Sequence, residues 1–436
     1  VIHVGIRGAA LLGLSLLFFR PYHANYITPY ADFQFWQGTK TPPDAFLIVH
    51  GIFLFAILSW ALTQLDDALA SATERRRTGL ALLVSGLLTS ASLYWLWGKT
   101  TGNFTPASEY PPSPWTPVIA GVFLTLALGT LLRPRLRAPE RFAAWLFVLG
   151  LLLALFVEFG VLAGDIGRMN TVFKFYIQIW VLWAALAAFA AGWLAERWER
   201  SPGAAGAGAW FWQTAFGLLV AAGLIYTVTA ARAKISDRFH PAYGMPEAVR
   251  ADYESNYRPG LSGIDYMDYA YYAEGDRALA LGKDKPAMLW LLENVKGSPT
   301  ILEAYNYNGG YRWGARYSIY TGLPTVIGWD WHQKQQRNAV GGWLIDERTR
   351  DVADIYNGVD ERQTRVLLDQ YGVEYVIVGE EERVLYDAAG LAKFERWAES
   401  GEAERVYASE EREPGGEPVV AIYRLLPTEG AEAVQP

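Results

Sequence analysis

Residues 164–180 read GDIGRMNTVFKFYIQIW and place one acid and two cations, Asp165, Arg168 and Lys174, between two apolar runs. Glu158 stands inside the preceding run, and Asp165 and Arg168 are close enough in sequence to pair. Asn170, Lys174 and Gln178 follow at i, i+4 and i+8, a spacing that lines one face of a helix. An ionisable group at membrane depth costs several kcal/mol unless it is paired or faces water. Two readings stay open for this charged hairpin. In one, Glu158 and Lys174 pair and the lysine snorkels to the headgroup level. In the other, the hairpin builds a polar pocket for an anion. Arg168 and Lys174 then contact a phosphate, with Asn170 and Gln178 as hydrogen-bond partners.

A second group of chemistry-bearing residues lies in GWDWHQKQQR, residues 328–337. Trp329 and Trp331 offer faces that stack on sugars, while Asp330, His332 and Arg337 can bind hydroxyls or a phosphate. The same tryptophans would equally make a seam where a domain docks on membrane helices. Glu303, after the apolar run TIL, joins this set as an acceptor or cleft residue. No second His or Cys lies near His332, so no metal site is expected there. Cysteine is absent from the chain, which removes disulfides, thiolate nucleophiles and cysteine metal sites. NYNGGYRWG, residues 306–314, lacks the spacing of a phosphate loop and reads as a turn.

The elements that must position these residues divide by composition. Residues 1–232 carry 16 Lys+Arg against 11 Asp+Glu and hold the long apolar runs. Residues 233–436 carry 22 against 34 and have an ordinary water-soluble composition. The acidic balance of the second part argues against a nucleic-acid partner. Seven segments approach the ~20 apolar residues of a spanning helix: about 4–20, 45–65, 79–98, 116–132, 142–163, 171–195 and 211–231. The first is interrupted by Arg7 and the fourth is short. His50, in the second, is expected as a hydrogen-bonded core histidine. Arg75–Arg77, Arg133, Arg135, Arg137, Arg141, Arg197 and Arg200 all fall in alternate loops. Basic loops favour the cytoplasm, so the N-terminus is expected inside and the region after residue 232 outside.

The expected organisation is a polytopic α-helical membrane region (1–232), a Tyr-rich connector (233–285), a small extracytoplasmic α/β domain (286–426) and a disordered tail (427–436). PAMLWLLENV, RTRDVADIYN and RQTRVLLDQYG read as helices, the last ended by Gly372. PTILEA, PTVIGW and VEYVIVG read as buried strands, and ERVYAS with PVVAIYRL as a closing pair. Alternation of strands and helices predicts a small open sheet, largely parallel in its middle. With no charged leader before the first apolar run, the sequence also reads as part of a longer chain.

RMNTVFKFYIQIW, ILEAYNYNGGYRWGARYSIYTGLPTVIGWDWHQKQQR and DVADIYNGVDERQTRVLLDQYGVEYVIVGEEER together resemble the YYY membrane protein family (Chlor_Arch_YYY), an uncharacterised family of large integral membrane proteins. The resemblance runs from RPYHANY to about residue 385. The YYYxG motif that names the family does not occur, and DYAYY at 268–272 differs from it. The resemblance implies the C-terminal part of a GT-C-like glycosyltransferase, a polytopic enzyme that takes a sugar from a polyprenyl-phosphate donor at the outer membrane face. It also implies that the carboxylate serving as base, and any divalent metal it binds, belong to a first outer loop upstream of this chain. No catalytic residue is therefore assigned here. The expected partners are membrane lipid and a polyprenyl-phosphate-linked sugar. A non-catalytic scaffold with a glycan- or partner-binding outer domain, and a transporter, are the competing classes. No internal repeat supports the transporter.

Overall fold

The computed structural model describes residues 2–25, 32–101, 113–200, 202–238, 240, 247–305, 311–337 and 341–427. The chain divides into two compact units, residues 30–229 and residues 1–29 with 230–436. Two helices precede the first unit, α1 (Ile2–Phe18) and α2 (Arg20–Asn25). The first unit contains β1 (Phe33–Phe35), α3 (Pro43–Ala70), α4 (Arg75–Thr101), α5 (Trp115–Leu131), α6 (Ala138–Phe159), β2 (Gly160–Leu162) and α7 (Met169–Glu199). Helix α8 (Pro202–Asp237), kinked at Gly206, runs out of it.

Among the described residues five helices are long and apolar enough to cross a membrane: α3, α4, α6, α7 and the part of α8 after its kink. The chain is an integral membrane protein with several candidate spans. The first and fourth of the seven expected spans correspond to shorter apolar helices, Ile6–Phe18 and Trp115–Leu131. At 1.5 Å per residue the 17 residues of α5 reach ~26 Å, at the short end of the range that crosses a hydrocarbon layer. Trp60, Phe147, Leu151 and Trp183 are buried between the helices. Gly150 lets α6 and α7 approach there, because a Cβ on it would lie 2.0 Å from Trp183 Nε1. Small residues play this part in membranes, where packing rather than water expulsion holds helices together. His50 is also buried, ringed by Phe46, Tyr176 and Trp183 at 4.7–5.2 Å. Among the described residues both of its ring nitrogens lack a hydrogen-bond partner, so in place of the expected hydrogen-bonded histidine the ring is held by aromatic neighbours.

The second unit continues through α9 (Arg250–Asn256), the hairpin β3 (Tyr271–Glu274) and β4 (Arg277–Ala280), α10 (Lys285–Asn294), β5 (Thr300–Leu302), α11 (Arg316–Thr321) and α12 (Asp330–Gln336). It closes with α13 (Trp343–Asn357), α14 (Glu361–Gln370), β6 (Val373–Val378), α15 (Glu380–Leu385), α16 (Ala388–Ser400), β7 (Ala403–Ala408) and β8 (Ala421–Leu425). Four strands pair in the order β5-β6-β8-β7. Only β5 and β6 are parallel, whereas β6–β8 and β8–β7 are antiparallel. The expected parallel middle is thus a single pair, and PTVIGW contributes only a parallel bridge between Ile301 and Thr325.

Along β6, Val376 and Val378 face one core, with Val352, Leu368 and Phe394, while Ile377 faces the other, with Met288, Ile301 and Tyr317. This is the period-2 alternation of a sheet covered on both sides. The Tyr-rich connector belongs to this second core, for Tyr253, Met267 and Leu281 are buried in it. Asp360 caps α14 through the N–H groups of Arg362 and Gln363, and Gly372 follows with φ +59°, the left-handed turn that glycine favours.

Candidate functional site

One group of buried charges in the membrane unit lies where α6 stops and α7 starts. Strand β1 pairs antiparallel with β2, with Phe33 opposite Leu162 and Phe35 opposite Gly160. This pins the loop before α3 onto the hairpin between α6 and α7. Trp36 N donates to Phe159 O at 2.9 Å, and the chain then carries Lys40 and Thr41 to the end of α6. Thr116 Oγ1 donates to Thr41 O at 2.6 Å, which fixes the loop to α5 as well.

Glu158 and Arg168 meet at this point. The Arg168 Nη1 to Glu158 Oε1 distance is 3.0 Å, with Glu158 side-chain exposure 1% and Arg168 12%. Thr41 sits between them: its hydroxyl donates to Glu158 Oε1 and accepts from Arg168 Nη2 at 3.1 Å. The Thr41 N–H donates to Glu158 Oε2 at 2.9 Å. Arg168 Nη1 also donates to Val157 O at 2.6 Å. The Arg168 plane lies over Trp36, 5.8 Å from the ring centre.

Lys40 adds a second buried cation, its side chain lying over Phe159 and its Nζ donating to Trp36 O at 3.1 Å. Burial, reinforced by Arg168 and opposed by Glu158, lowers its ammonium to about 8. Two cations therefore face one carboxylate, a local excess of one positive charge. Asp165 does not join them. Its oxygens accept from the N–H groups of Asn170 (3.2 Å) and Thr171 (2.7 Å) and from the Thr171 hydroxyl (2.7 Å), closing the first turn of α7. Burial works against the charge of Asp165, but these hydrogen bonds outweigh it and hold the carboxyl below its usual range.

The expected pairings are corrected accordingly. Glu158 pairs with Arg168, not with Lys174, and Asp165 serves α7, not Arg168. Asn170 is half-buried, while Lys174 and Gln178 lie on the exposed side of α7, away from the face that packs through Thr171, Ile179 and Trp183. Sequence reasoning missed Trp36, Lys40 and Thr41, which reach the site only through the β1–β2 pairing.

In the second unit the residues expected together separate into two groups. Trp329 donates through Nε1 to Arg312 O at 3.0 Å and meets Tyr311 edge-on at 4.8 Å. His332 Nδ1 lies 3.2 Å from the Tyr311 hydroxyl. Asp330 starts α12 and lies 3.7 Å from Lys334, while Trp331, His332 and Arg337 are exposed. Glu303 is elsewhere, enclosed in the core, where its two oxygens accept from the N–H groups of Tyr317 (2.7 Å) and Ser318 (2.9 Å). It does not line an open cleft.

Around Glu303 lies a buried network that the sequence did not disclose. Arg316, fully enclosed, donates through Nε to Asp284 Oδ2 at 2.7 Å and through Nη2 to Glu382 Oε2 at 2.8 Å. With two carboxylates already on one guanidinium, further negative charge is disfavoured. Burial raises Glu303 to about 7 despite Arg316. It raises Glu381, whose oxygens have no hydrogen-bond partner among the described residues, to about 8. Among the described residues no cluster of three or more His, Cys, Asp or Glu has the makings of a metal site.

Residues 1–183 match the model of a family described as an uncharacterized membrane protein (DUF2298). The matched stretch contains Trp36, Lys40, Thr41, Glu158 and Arg168 and ends within α7, so the α/β region lies beyond it. No curated protein matches the chain, and no solved structure does. Over residues 1–183 the chain is thus similar to an uncharacterised family of membrane proteins, whose description carries no activity.

Proposed function

We propose that the Lys40–Arg168 site holds the phosphate of a polyprenyl-phosphate-linked sugar and that the protein is a membrane glycosyltransferase of GT-C type. The observation that carries this reading is the positive excess at the ends of apolar helices, Lys40 and Arg168 against Glu158. A lipid phosphate lies at the height where such helices end. The opposite end of the unit carries the arginine-rich loops, so the positive-inside bias puts the Lys40–Arg168 end outside. The resemblance to the YYY family supports the same class.

In the transfer, the bond between the sugar's anomeric carbon and the phosphate oxygen breaks and the phosphate leaves with the electron pair. The acceptor oxygen bonds to that carbon and loses its proton to a base. Preorganised cations next to the departing phosphate stabilise the charge that develops there. Lys174 and Gln178, on the exposed side of α7, contact the lipid portion and its second phosphate oxygen. Trp331 and His332 on α12, with Arg337 just after it, offer a separate surface with which to stack on and hydrogen-bond to a glycan.

The test is transfer from defined polyprenyl-phosphate sugars by the protein in proteoliposomes. Lys40→Met, which leaves the Arg168–Glu158 pair intact, is expected to cut transfer at least tenfold, and Arg168→Ala to abolish it. Full transfer by a folded Lys40→Met and a folded Arg168→Ala protein would end the reading.

A further inference from the structure

The arginine-rich end of the membrane unit is hollow. A cavity of about 990 Å³ opens between the 132–137 loop, the end of α3, the start of α6 and the last three turns of α7. Five arginines line it: Arg133, Arg135, Arg137, Arg197 and Arg200. Their partners are fewer. Asp67 takes Arg197 in a bidentate pair at 2.8 and 2.9 Å, and Glu196 takes Arg200 at 2.8 Å. Glu74 is shared by Arg133 at 3.0 Å and Arg135 at 3.5 Å. Glu140 is occupied by the Arg137 N–H and by Trp193 Nε1, both at 3.0 Å. Glu140 thus holds no guanidinium. The Arg137 side chain has no carboxylate among the described residues, and Arg135 has half of one.

A second observation points the same way. Gln64 lines the cavity and is 2% exposed. Its amide oxygen accepts from Arg133 Nη1, and its enclosed nitrogen has no hydrogen-bond partner among the described residues, so the amide orients Arg133 from behind the cavity wall. The cavity therefore presents a surplus of cations over the carboxylates that hold them. On its apolar side stand Ala188, Phe189 and Gly192, on successive turns of a membrane helix, with Trp193 and Trp198 at the rim. A polar recess of this volume next to an apolar helix face fits one chemistry: a phosphodiester with hydrocarbon attached.

We propose that this cavity binds the headgroup phosphate of an anionic glycerophospholipid, with Arg133 and Arg137 on the phosphate, Gln64 holding Arg133 in place, and the acyl chains against Ala188 and Phe189. The site is distinct from the Lys40–Arg168 site and does not depend on its role. Bound lipid would fix the loop between α5 and α6 against the end of α7.

Two substitutions probe it without disturbing packing. Arg137→Ala removes a side chain that makes no ion pair, and its cap to Glu140 runs through the backbone. Gly192→Phe fills the recess, since a Cβ at Gly192 meets nothing within 4 Å. The experiment is native mass spectrometry of the chain in nanodiscs of phosphatidylglycerol or phosphatidylcholine, read as lipid retained on detergent release. The wild type should retain phosphatidylglycerol at least tenfold over phosphatidylcholine. Arg137→Ala should lower that retention about fivefold, the equivalent of ~1 kcal/mol per basic residue at a membrane surface. Gly192→Phe should abolish it. Inorganic phosphate at millimolar concentration should not displace the lipid. Equal retention of the two lipids, unchanged retention in Gly192→Phe, or displacement of the lipid by free phosphate would each overturn the proposal, the last in favour of a soluble phosphate ligand.

Discussion

Replacing Lys40 by methionine separates stability from function at the proposed phosphate site. The buried ammonium falls from an ordinary 10.5 to about 8, which corresponds to about 2 to 3 kcal/mol against folding at neutral pH once residual hydration is allowed for. Methionine keeps the length of the side chain over Phe159 and removes that cost. It also loses one hydrogen bond to Trp36 O, worth about 1 kcal/mol. The net gain is about 1 to 2 kcal/mol, or ~3–6 °C for a unit of this size. The sign with pH follows from a folded value below the unfolded one. The penalty is complete below about pH 8 and disappears as the unfolded lysine titrates near 10.5. Thermal unfolding in detergent should therefore show Lys40→Met melting above the wild type at about pH 7, with a smaller gap at about pH 9.5. The same variant should bind a polyprenyl phosphate more weakly. A variant that melts lower at neutral pH, or a gap that does not change with pH, would refute the electrostatic account of Lys40.

Other consequences are as direct. Thr41→Val removes both hydroxyl bonds that join Glu158 and Arg168, and should cost about 1–3 kcal/mol in the melting of the membrane unit. Equal melting would show that the Thr41 hydroxyl contributes nothing. In the second unit Glu381, raised to about 8, is favoured in its protonated form. The fold therefore loses up to ~5 kcal/mol from this group as pH rises from about 4.5 to 8. Hydrogen exchange of β6 amides should accelerate over that window, and Glu381→Met should flatten the dependence; an unchanged slope would move the effect to other groups. Arg316→Met leaves Asp284 and Glu382 buried without their cation, a loss of at least ~3 kcal/mol. Exchange protection should collapse in β5 and β6 while α3, α6 and α7 keep theirs, and retained protection in the sheet would count against the network.

The long helices were legible because their signal is local. An apolar run of membrane length needs no partner to be recognised, and the α3, α4, α6 and α7 segments follow the runs closely. The weak cases, Arg7 within the first run and the short fourth, are the two that form the shorter apolar helices. In the α/β region the amphipathic helices and β6 carried their own periodicity, whereas PTVIGW had the composition of a strand but only one bridging residue pair. The site was legible only as a set of charges. That Arg168 and Glu158 matter could be read from their position in apolar sequence, but their partnership could not. It depends on Thr41, more than a hundred residues away, brought in by a three-residue strand with no sequence signature. Glu303 shows the converse, for an acid after a strand looks like a ligand-binding residue until Tyr317 and Ser318 occupy both its oxygens.

The most direct test of the central claim is photocrosslinking of the membrane-embedded protein with a polyprenyl phosphate carrying a photoreactive group next to its phosphate. The account predicts labelled peptides within residues 32–42 and 160–178, at least tenfold less label in Lys40→Met and in Arg168→Lys, and competition by unlabelled polyprenyl phosphate. Label that falls on the arginine-rich end instead, or that is unchanged in both variants, would contradict it.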